Sequence, residues 1–326
     1  MIYTLLMTLR CLISYTPYTV EDYLRSFRVL ALAWLVVSLG PATASASLLY
    51  GSVGPIDLGL GGDPGSIFII DQTTGGSTLV GDAVATPEIG IVGIDFDSAG
   101  NLYGTTRNTD VASDLLRIDP MTGATLQNLG TITDAGLAIA IIDLAFQPGV
   151  DVLFGVSAAN APARCFGCLY TIDLLTAEAT LVGENPGISQ GGIAFAPDGT
   201  LYWADIFNGS FLATVDPTNA ATLTTEEIVI EPPFDTILGG FFDGLAVRPE
   251  DGVLFSTHAV GSAEILMRDP STKTWSVIGL ADGNMTDLAF VVPEPSTLAL
   301  LGLGLAALAL TRRIRLRGSV RLRLVA

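Results

Sequence analysis

Basic residues are scarce through most of this chain. Residues 47–292 carry six Lys and Arg against 30 Asp and Glu. A phosphate backbone needs a basic footprint, so nucleic-acid binding is excluded for that stretch. Histidine occurs once, at His258, which rules out schemes that need two imidazoles. Charged residues make up 15% of the chain and apolar ones 49%. That balance excludes a disordered acidic chain and a coiled coil alike. The sequence shows no Gly-rich phosphate loop between strand and helix, no nucleophile elbow and no metalloprotease helix.

The two flanks differ from the body. Arg25 and Arg28 precede an apolar run from Val29 to Leu39, Gly40-Pro41 breaks it, and Ala44-Ser45-Ala46 follows. Charge, a short apolar segment, a breaker and small residues at −3 and −1 are the marks of a secretory signal peptide. A helix of that length reaches roughly 16 Å, too short for a ~30 Å hydrocarbon core. Residues 1–46 are expected to be leader and signal peptide, cut after Ala46 to leave Ser47 as the new terminus. The alternative is an uncleaved anchor.

Near the other end the chain reads Val292-Pro293-Glu294-Pro295-Ser296, then runs from Leu298 to Leu310 without a polar side chain, then Thr311-Arg312-Arg313-Ile314-Arg315. The two prolines keep the motif extended and accessible to an enzyme. The apolar stretch suits a membrane, and the arginines stay cytoplasmic by the positive-inside rule. Residues 292–326 resemble the PEP-CTERM sorting signal of Gram-negative bacteria, with motif, helix and Arg cluster in order. The resemblance implies recognition by an exosortase, processing near Pro293-Glu294-Pro295, transient anchoring in the inner membrane after passage through the secretion machinery, and release to the cell surface or a biofilm matrix of exopolysaccharide. The apolar run is short, at 13 residues. A transmembrane helix must therefore borrow Ser296, Thr297, Thr311 and snorkelling Arg side chains. The alternative is a permanent C-terminal anchor.

Residues 47–291 are periodic. A phrase of apolar-Ala-Phe, a turn, then Leu-Tyr or Leu-Phe starts at Ile94, Leu144, Ile193 and Leu245, and its last copy, Leu288-Ala289-Phe290, lacks the second half. The missing half stands at the other end of the body, as Leu49-Tyr50. A second phrase follows each first one and ends in Thr-Leu-Val-Gly or a variant, as at Thr78 to Gly81 and Thr180 to Gly183. Four short β-type runs per unit at this period predict an all-β fold, a single β-propeller. Five four-stranded blades are expected, with one blade closed by strands from both termini. A β-sandwich is the alternative, but it leaves the period and the split unit unexplained. The longest connections, such as Gly54 to Gly65, Ala158 to Cys168 and Glu231 to Phe242, fall at one end of the strands. Binding is expected there, since variable loops on a rigid scaffold usually carry it.

Three sets of residues are candidates for chemistry. Cys165 and Cys168 are expected to form a small loop disulfide in an exported protein; a redox pair or a zinc site are the alternatives. Asp143 and Asp287 precede the phrase in two units, Asp243 lies one residue earlier in a third, and Asp95 replaces the alanine in another. Inner strands line a propeller's channel, so Asp143, Asp243 and Asp287 are candidate ligands for a hard cation such as Ca2+. The alternative is that each carboxylate caps a neighbouring backbone N–H. No other cofactor is expected. The leading expectation is a non-catalytic binding propeller of the surface or matrix. A channel-metal hydrolase of the lactonase kind and a passive matrix component are the rivals. Replacing Pro293-Glu294-Pro295 with alanines is expected to hold the full-length protein in the inner membrane, as read by immunoblots of membrane and released fractions.

Overall fold

In the computed structural model, the described residues are 47–55, 63–84, 89–107, 112–157, 167–188, 191–205, 211–231, 241–259 and 263–291. They lie in one compact unit, Ala46–Pro295. The signal-peptide residues Ala44 and Ala46, and the sorting residues Pro293, Glu294, Pro295, Arg312, Arg313 and Arg315, lie outside the described residues.

Blade 1 takes β1 (Leu49–Val53), β2 (Ser66–Ile70) and β3 (Ser77–Asp82) from the N-terminal side and its innermost strand, β23 (Met285–Phe290), from the C-terminal side. Leu49 pairs with Phe290 and Gly51 with Leu288 in an antiparallel ladder. Beyond it, Val291 N–H donates to the Leu48 carbonyl at 3.1 Å. Blade 2 is β4 (Gly90–Phe96), β5 (Leu102–Arg107), β6 (Asp114–Ile118) and β7 (Thr125–Thr131). The next connection holds β8 (Thr133–Asp134) and β9 (Leu137–Ala138). Blade 3 follows as β10 (Ile141–Gln147), β11 (Val152–Ser157), β12 (Cys168–Ile172) and β13 (Glu178–Glu184). Blade 4 is β14 (Ile193–Phe195), β15 (Leu201–Asp205), β16 (Phe211–Val215) and β17 (Thr222–Glu227). After β18 (Val229–Ile230), blade 5 is β19 (Phe241–Val247), β20 (Leu254–Ala259), β21 (Ala263–Arg268) and β22 (Thr274–Ala281).

The ring has the expected five blades, with the split blade where the broken phrase puts it. Two blades are wider than four strands. β8 joins the outer edge of β13 in parallel, and β18 joins β22 the same way. In both cases the chain entering a blade first runs along that blade's outer edge and covers its unpaired backbone groups.

The inner strands touch in the cyclic order β23, β4, β10, β14, β19. Successive residues of a strand face opposite sides, so each inner strand feeds two interfaces. Leu144 and Phe146 pack with Tyr103 and Leu115 of blade 2, while Ala145 packs with Phe195 and Trp203 of blade 4. The apolar core accordingly consists of five separate layers, one between each pair of neighbouring blades. No sheet has a core of its own; each is stable only between two others.

Outer contacts use turns. Each turn between the two outer strands begins with an aspartate, Asp71, Asp119, Asp173, Asp216 or Asp269, whose side chain accepts the backbone N–H two residues on. The fifth residue, Gly75, Gly123, Ala177, Ala220 or Lys273, is left-handed with φ between +55 and +71°. This turn packs against the outer strand of the preceding blade. A Cβ on Gly279 would lie 1.7 Å from the Thr74 carbonyl oxygen, and one on Gly183 2.2 Å from that of Asn219. The glycine that ends the second phrase is where the next blade's backbone arrives.

Closure therefore rests on β23. Deleting residues 285–291 is expected to unfold or oligomerise the body, and Phe290→Ala to cost about 3–5 kcal/mol. Leu126→Ala, at a side chain 57% exposed on β7, is expected to stay within about 0.5 kcal/mol. Denaturant melts of the three variants check this.

Candidate functional site: the axial cavity

The inner strands converge on a cavity of about 200 Å³ at the end of the ring that carries the short, regular turns. The phrase explains its walls. Its last residue is Phe96, Phe146, Phe195 or Phe290, with Val247 in blade 5, and all five line the cavity. Four of these rings also tuck against an aromatic of the preceding blade, at centroid distances of 5.0–5.4 Å: Tyr50–Phe96, Tyr103–Phe146, Phe154–Phe195 and Phe255–Phe290. At the fifth seam Tyr202 packs in the cluster that holds Val247. Edge-to-face and tilted pairs of this kind hold ring positions firmly.

Deeper along the axis lies a layer of Gly93, Asp143, Gly244 and Asp287 from four inner strands and Gly192 from just before the fifth, β14. A Cβ on Gly244 would sit 2.4 Å from the Asp287 Cα, and one on Gly93 2.8 Å from the Asp143 Cα. The backbones touch here, and only glycine beside aspartate leaves room for the two carboxyls.

Those carboxyls join blades. Asp287 accepts from its own Leu288 N–H at 2.7 Å and from Ile94 N–H of blade 2 at 2.5 Å. Asp143 accepts from Leu144 N–H at 2.7 Å and from Ile193 N–H of blade 4 at 2.5 Å. Asp95, two residues further along its strand, accepts from Phe96 N–H at 2.8 Å and from Phe146 N–H of blade 3 at 2.6 Å. Each carboxyl thus fastens its own blade to the next. Burial pushes the Asp143 and Asp287 carboxyls well above the ordinary range, and the two are hydrogen-bonded to one another, with Asp143 the further disfavoured by the Asp287 charge. Burial raises Asp95 to about 7, against the pull of its two N–H donors. Asp243 is raised to about 7 by burial, opposed by the charge of Arg107. The charge that acts on it is that of Arg107, not of the Asp143–Asp287 pair. So the structure brings Asp95, Asp143 and Asp287 together on the axis and leaves Asp243 apart. Among the described residues no three His, Cys, Asp or Glu side chains form a cluster that could hold a metal ion.

At the mouth, Asp151 reaches from the blade 3 turn to blade 2 and accepts from Ser98 N–H at 3.0 Å and Ser98 Oγ at 2.5 Å. Asp151 is left-handed, with φ +53°. The lone imidazole is elsewhere: His258 Nδ1 lies 2.9 Å from Glu264 Oε2 on the neighbouring strand. Cys168 is fully buried at the start of β12 and disulfide-bonded; Cys165 lies outside the described residues. Ser47 is buried and packed against blade 5.

Sequence reasoning looked for binding at the long-loop end, most of which lies outside the described residues. The alternation of the inner strands puts Asp95 on the same side as Asp143 and Asp287, but it does not point to Ser98 and Asp151 or to a cavity at the regular end. One signal was available: Asp95 is the polar exception at a position that is alanine in the other inner strands apart from it.

Residues 291–313 match the PEP-CTERM protein-sorting motif. The motif implies export, transient anchoring and processing by an exosortase. No curated protein matches the chain. Among solved structures, a protein of unknown function from Bacteroides caccae is 10% identical, over 76% of this chain and 99% of that one, at a TM-score of 0.46. A gluconolactonase from Xanthomonas campestris is 16% identical, over 75% and 80%, at 0.45. A calcium-binding regucalcin from Agrobacterium tumefaciens is 15% identical, over 67% and 65%, at 0.42. These likenesses assign no activity to this chain.

The raised carboxyls have a consequence for stability. The folded protein keeps protons at Asp95, Asp143, Asp243 and Asp287 that the unfolded chain has released above about pH 4. Stability therefore falls as pH climbs from about 4 through the folded values, about 7 for Asp95 and Asp243, by up to about 1.4 kcal/mol per pH unit for each retained proton. The turn carboxylates Asp71, Asp119, Asp173, Asp216 and Asp269 act oppositely, since their hydrogen bonds lower them; their contribution is lost as pH drops below about 4. The expected optimum is mildly acidic. Asp287→Asn is expected to flatten the slope between pH 5 and 8 by about one proton, as measured by denaturant melts at each pH; an unchanged slope would count against the shared-proton geometry.

Proposed function

We propose that the body is a non-catalytic binding propeller, delivered to the cell surface or the extracellular polysaccharide matrix when an exosortase cuts the sorting signal. The observation that carries this is the position of the signal. The motif begins at residue 291, directly after β23. Cutting beyond that strand releases the chain without removing anything the ring needs. Removal of the leader after Ala46 likewise leaves β1 whole.

The cavity supports a binding role. Its walls are mostly apolar and held by aromatic pairs, with Asp95 inside and Ser98, Gln147 and Asp151 toward the mouth. A preformed apolar hollow with a few placed polar groups is the usual form of a small ligand site. No metal or other cofactor enters this reading.

The test is co-sedimentation of the released body with matrix polysaccharide from the producing cells. Binding is expected, and Ser98→Trp over the mouth is expected to weaken it about tenfold or more. Leu126→Ser on the outer strand is expected to leave it unchanged. A body that stays in the supernatant at every polysaccharide concentration would overturn the reading.

A further inference from the structure

Ser47 is built into the ring although it precedes the first strand. It is only 2% exposed. Its nitrogen donates to Glu250 Oε1 at 2.6 Å and its hydroxyl to Glu250 Oε2 at 2.8 Å. Its carbonyl accepts from Gln72 Nε2 at 2.6 Å. Glu250 lies in the turn between β19 and β20 of blade 5, and Gln72 in the turn between β2 and β3 of blade 1. All three polar groups of one small residue are thus engaged, and the carboxylate that meets two of them comes from the other side of the closing seam.

The surrounding charges are arranged to leave that carboxylate for Ser47. Arg248 is the nearby cation, and its guanidinium is turned to Asp251, with Nε–Oδ1 at 2.9 Å and Nη2–Oδ2 at 2.7 Å. Its remaining edge donates to Gln72 Oε1 at 3.1 Å, and its face lies over the Phe255 ring at 5.4 Å. Gln72 therefore bridges Arg248 and the Ser47 carbonyl, while Glu250 takes its hydrogen bonds from Ser47 and acts on Arg248 through charge alone.

An internal peptide nitrogen offers Glu250 one neutral N–H. A free chain terminus offers an ammonium. We infer that Glu250 is a receptor for the α-ammonium created when the leader is cut from Ser47, and that this buried ion pair fastens blade 5 to blade 1 in the processed protein. The inference rests on the export reading above. Hydrolysis of the Ala46–Ser47 peptide bond by the leader-removing peptidase consumes one water. Its hydroxyl goes to the Ala46 carbonyl, which becomes a carboxylate, and the Ser47 nitrogen takes a hydrogen and then a proton from solvent. A hydrogen bond becomes a charge-assisted one, roughly twice as strong. The same cut that frees the body from its leader tightens the seam on which the ring depends.

The sign of the pH dependence follows. An α-amino group ordinarily titrates at about 7.7–8.0; the paired Glu250 carboxylate raises it in the folded state and outweighs the opposing burial of Ser47, with Arg248 also opposing and Asp251 offsetting Arg248. Its contribution is complete below that range and is lost as pH rises through the raised value.

The test compares five proteins: the exported protein, its Glu250→Gln variant, the leader-retaining form blocked at Ala46 with and without the same substitution, and an exported form with one glycine inserted before Ser47. Terminal sequencing of the exported protein is expected to begin at Ser47. Glu250→Gln is expected to lower the folding equilibrium constant of the exported protein roughly ten- to hundredfold, and that of the leader-retaining form several-fold less. A glycine inserted before Ser47, which displaces the ammonium by one residue, is expected to reproduce most of the loss. Nitrogen-15 titration of the terminal amine is expected to give a value one unit or more above the ordinary range. A terminus other than Ser47 would overturn the processing premise and the receptor with it. A terminus at Ser47, together with equal effects of Glu250→Gln in both forms or an amine titrating near 7.7–8.0, would overturn the receptor alone.

Discussion

The pairing of β1 with β23 is the contact on which everything else waits. A propeller blade has two apolar faces and no interior, so its stability is borrowed from both neighbours. Four blades are continuous along the chain; the fifth is assembled from its two ends. Leu49 beside Phe290 and Gly51 beside Leu288 turn an open stack into a ring, and only in a ring does every face find a partner. The apolar layer between blades 5 and 1, which holds Phe68, Phe255, Leu288 and Phe290, forms last in any order of assembly that follows the chain.

Polar groups reinforce the same seams from the inside. Propeller inner strands run side by side at the axis without forming a ladder between blades, so their N–H groups there need another acceptor. Asp287, Asp95 and Asp143 supply it for blades 2, 3 and 4 in turn. The cost is a set of carboxyls that burial raises above the ordinary range, so that they hold their protons to a higher pH than exposed ones do. Structure and protonation are thereby tied together. Asp143 and Asp287, which could suggest a metal centre by their composition, each accept two backbone N–H groups.

The architecture was legible because it is periodic. The apolar-Ala-Phe phrase reports alternation between two packed faces, and the broken copy at Leu288 with its other half at Leu49 reports how the ring shuts. The five Asp-led turns could be read as turns, but not their left-handed fifth residue. Glycine marks it in blades 1 and 2, whereas Ala177, Ala220 and Lys273 occupy it elsewhere, where tertiary packing overrides local preference. The extra strands β8 and β18 escaped because two residues carry no period. The cavity escaped for a different reason. Its location depends on which end of the converging strands is blocked, and that is decided by Gly93, Gly192 and Gly244 meeting the inner-strand backbone of the next blade. Nothing local to any one strand records such a meeting. Asp95 was visible as an exception to the phrase, yet its partner, the N–H of Phe146, is a property of the neighbouring blade.

The split blade also determines where force enters the molecule. While the C-terminal segment is held, any tension on the body arrives at Val291 and passes into β23. That strand is the one inner strand with no covalent link to the rest of its own sheet. The pull is therefore shared between the β1 ladder and the short connection through residues 282–284 to blade 5, so the contacts that close the ring also bear the load.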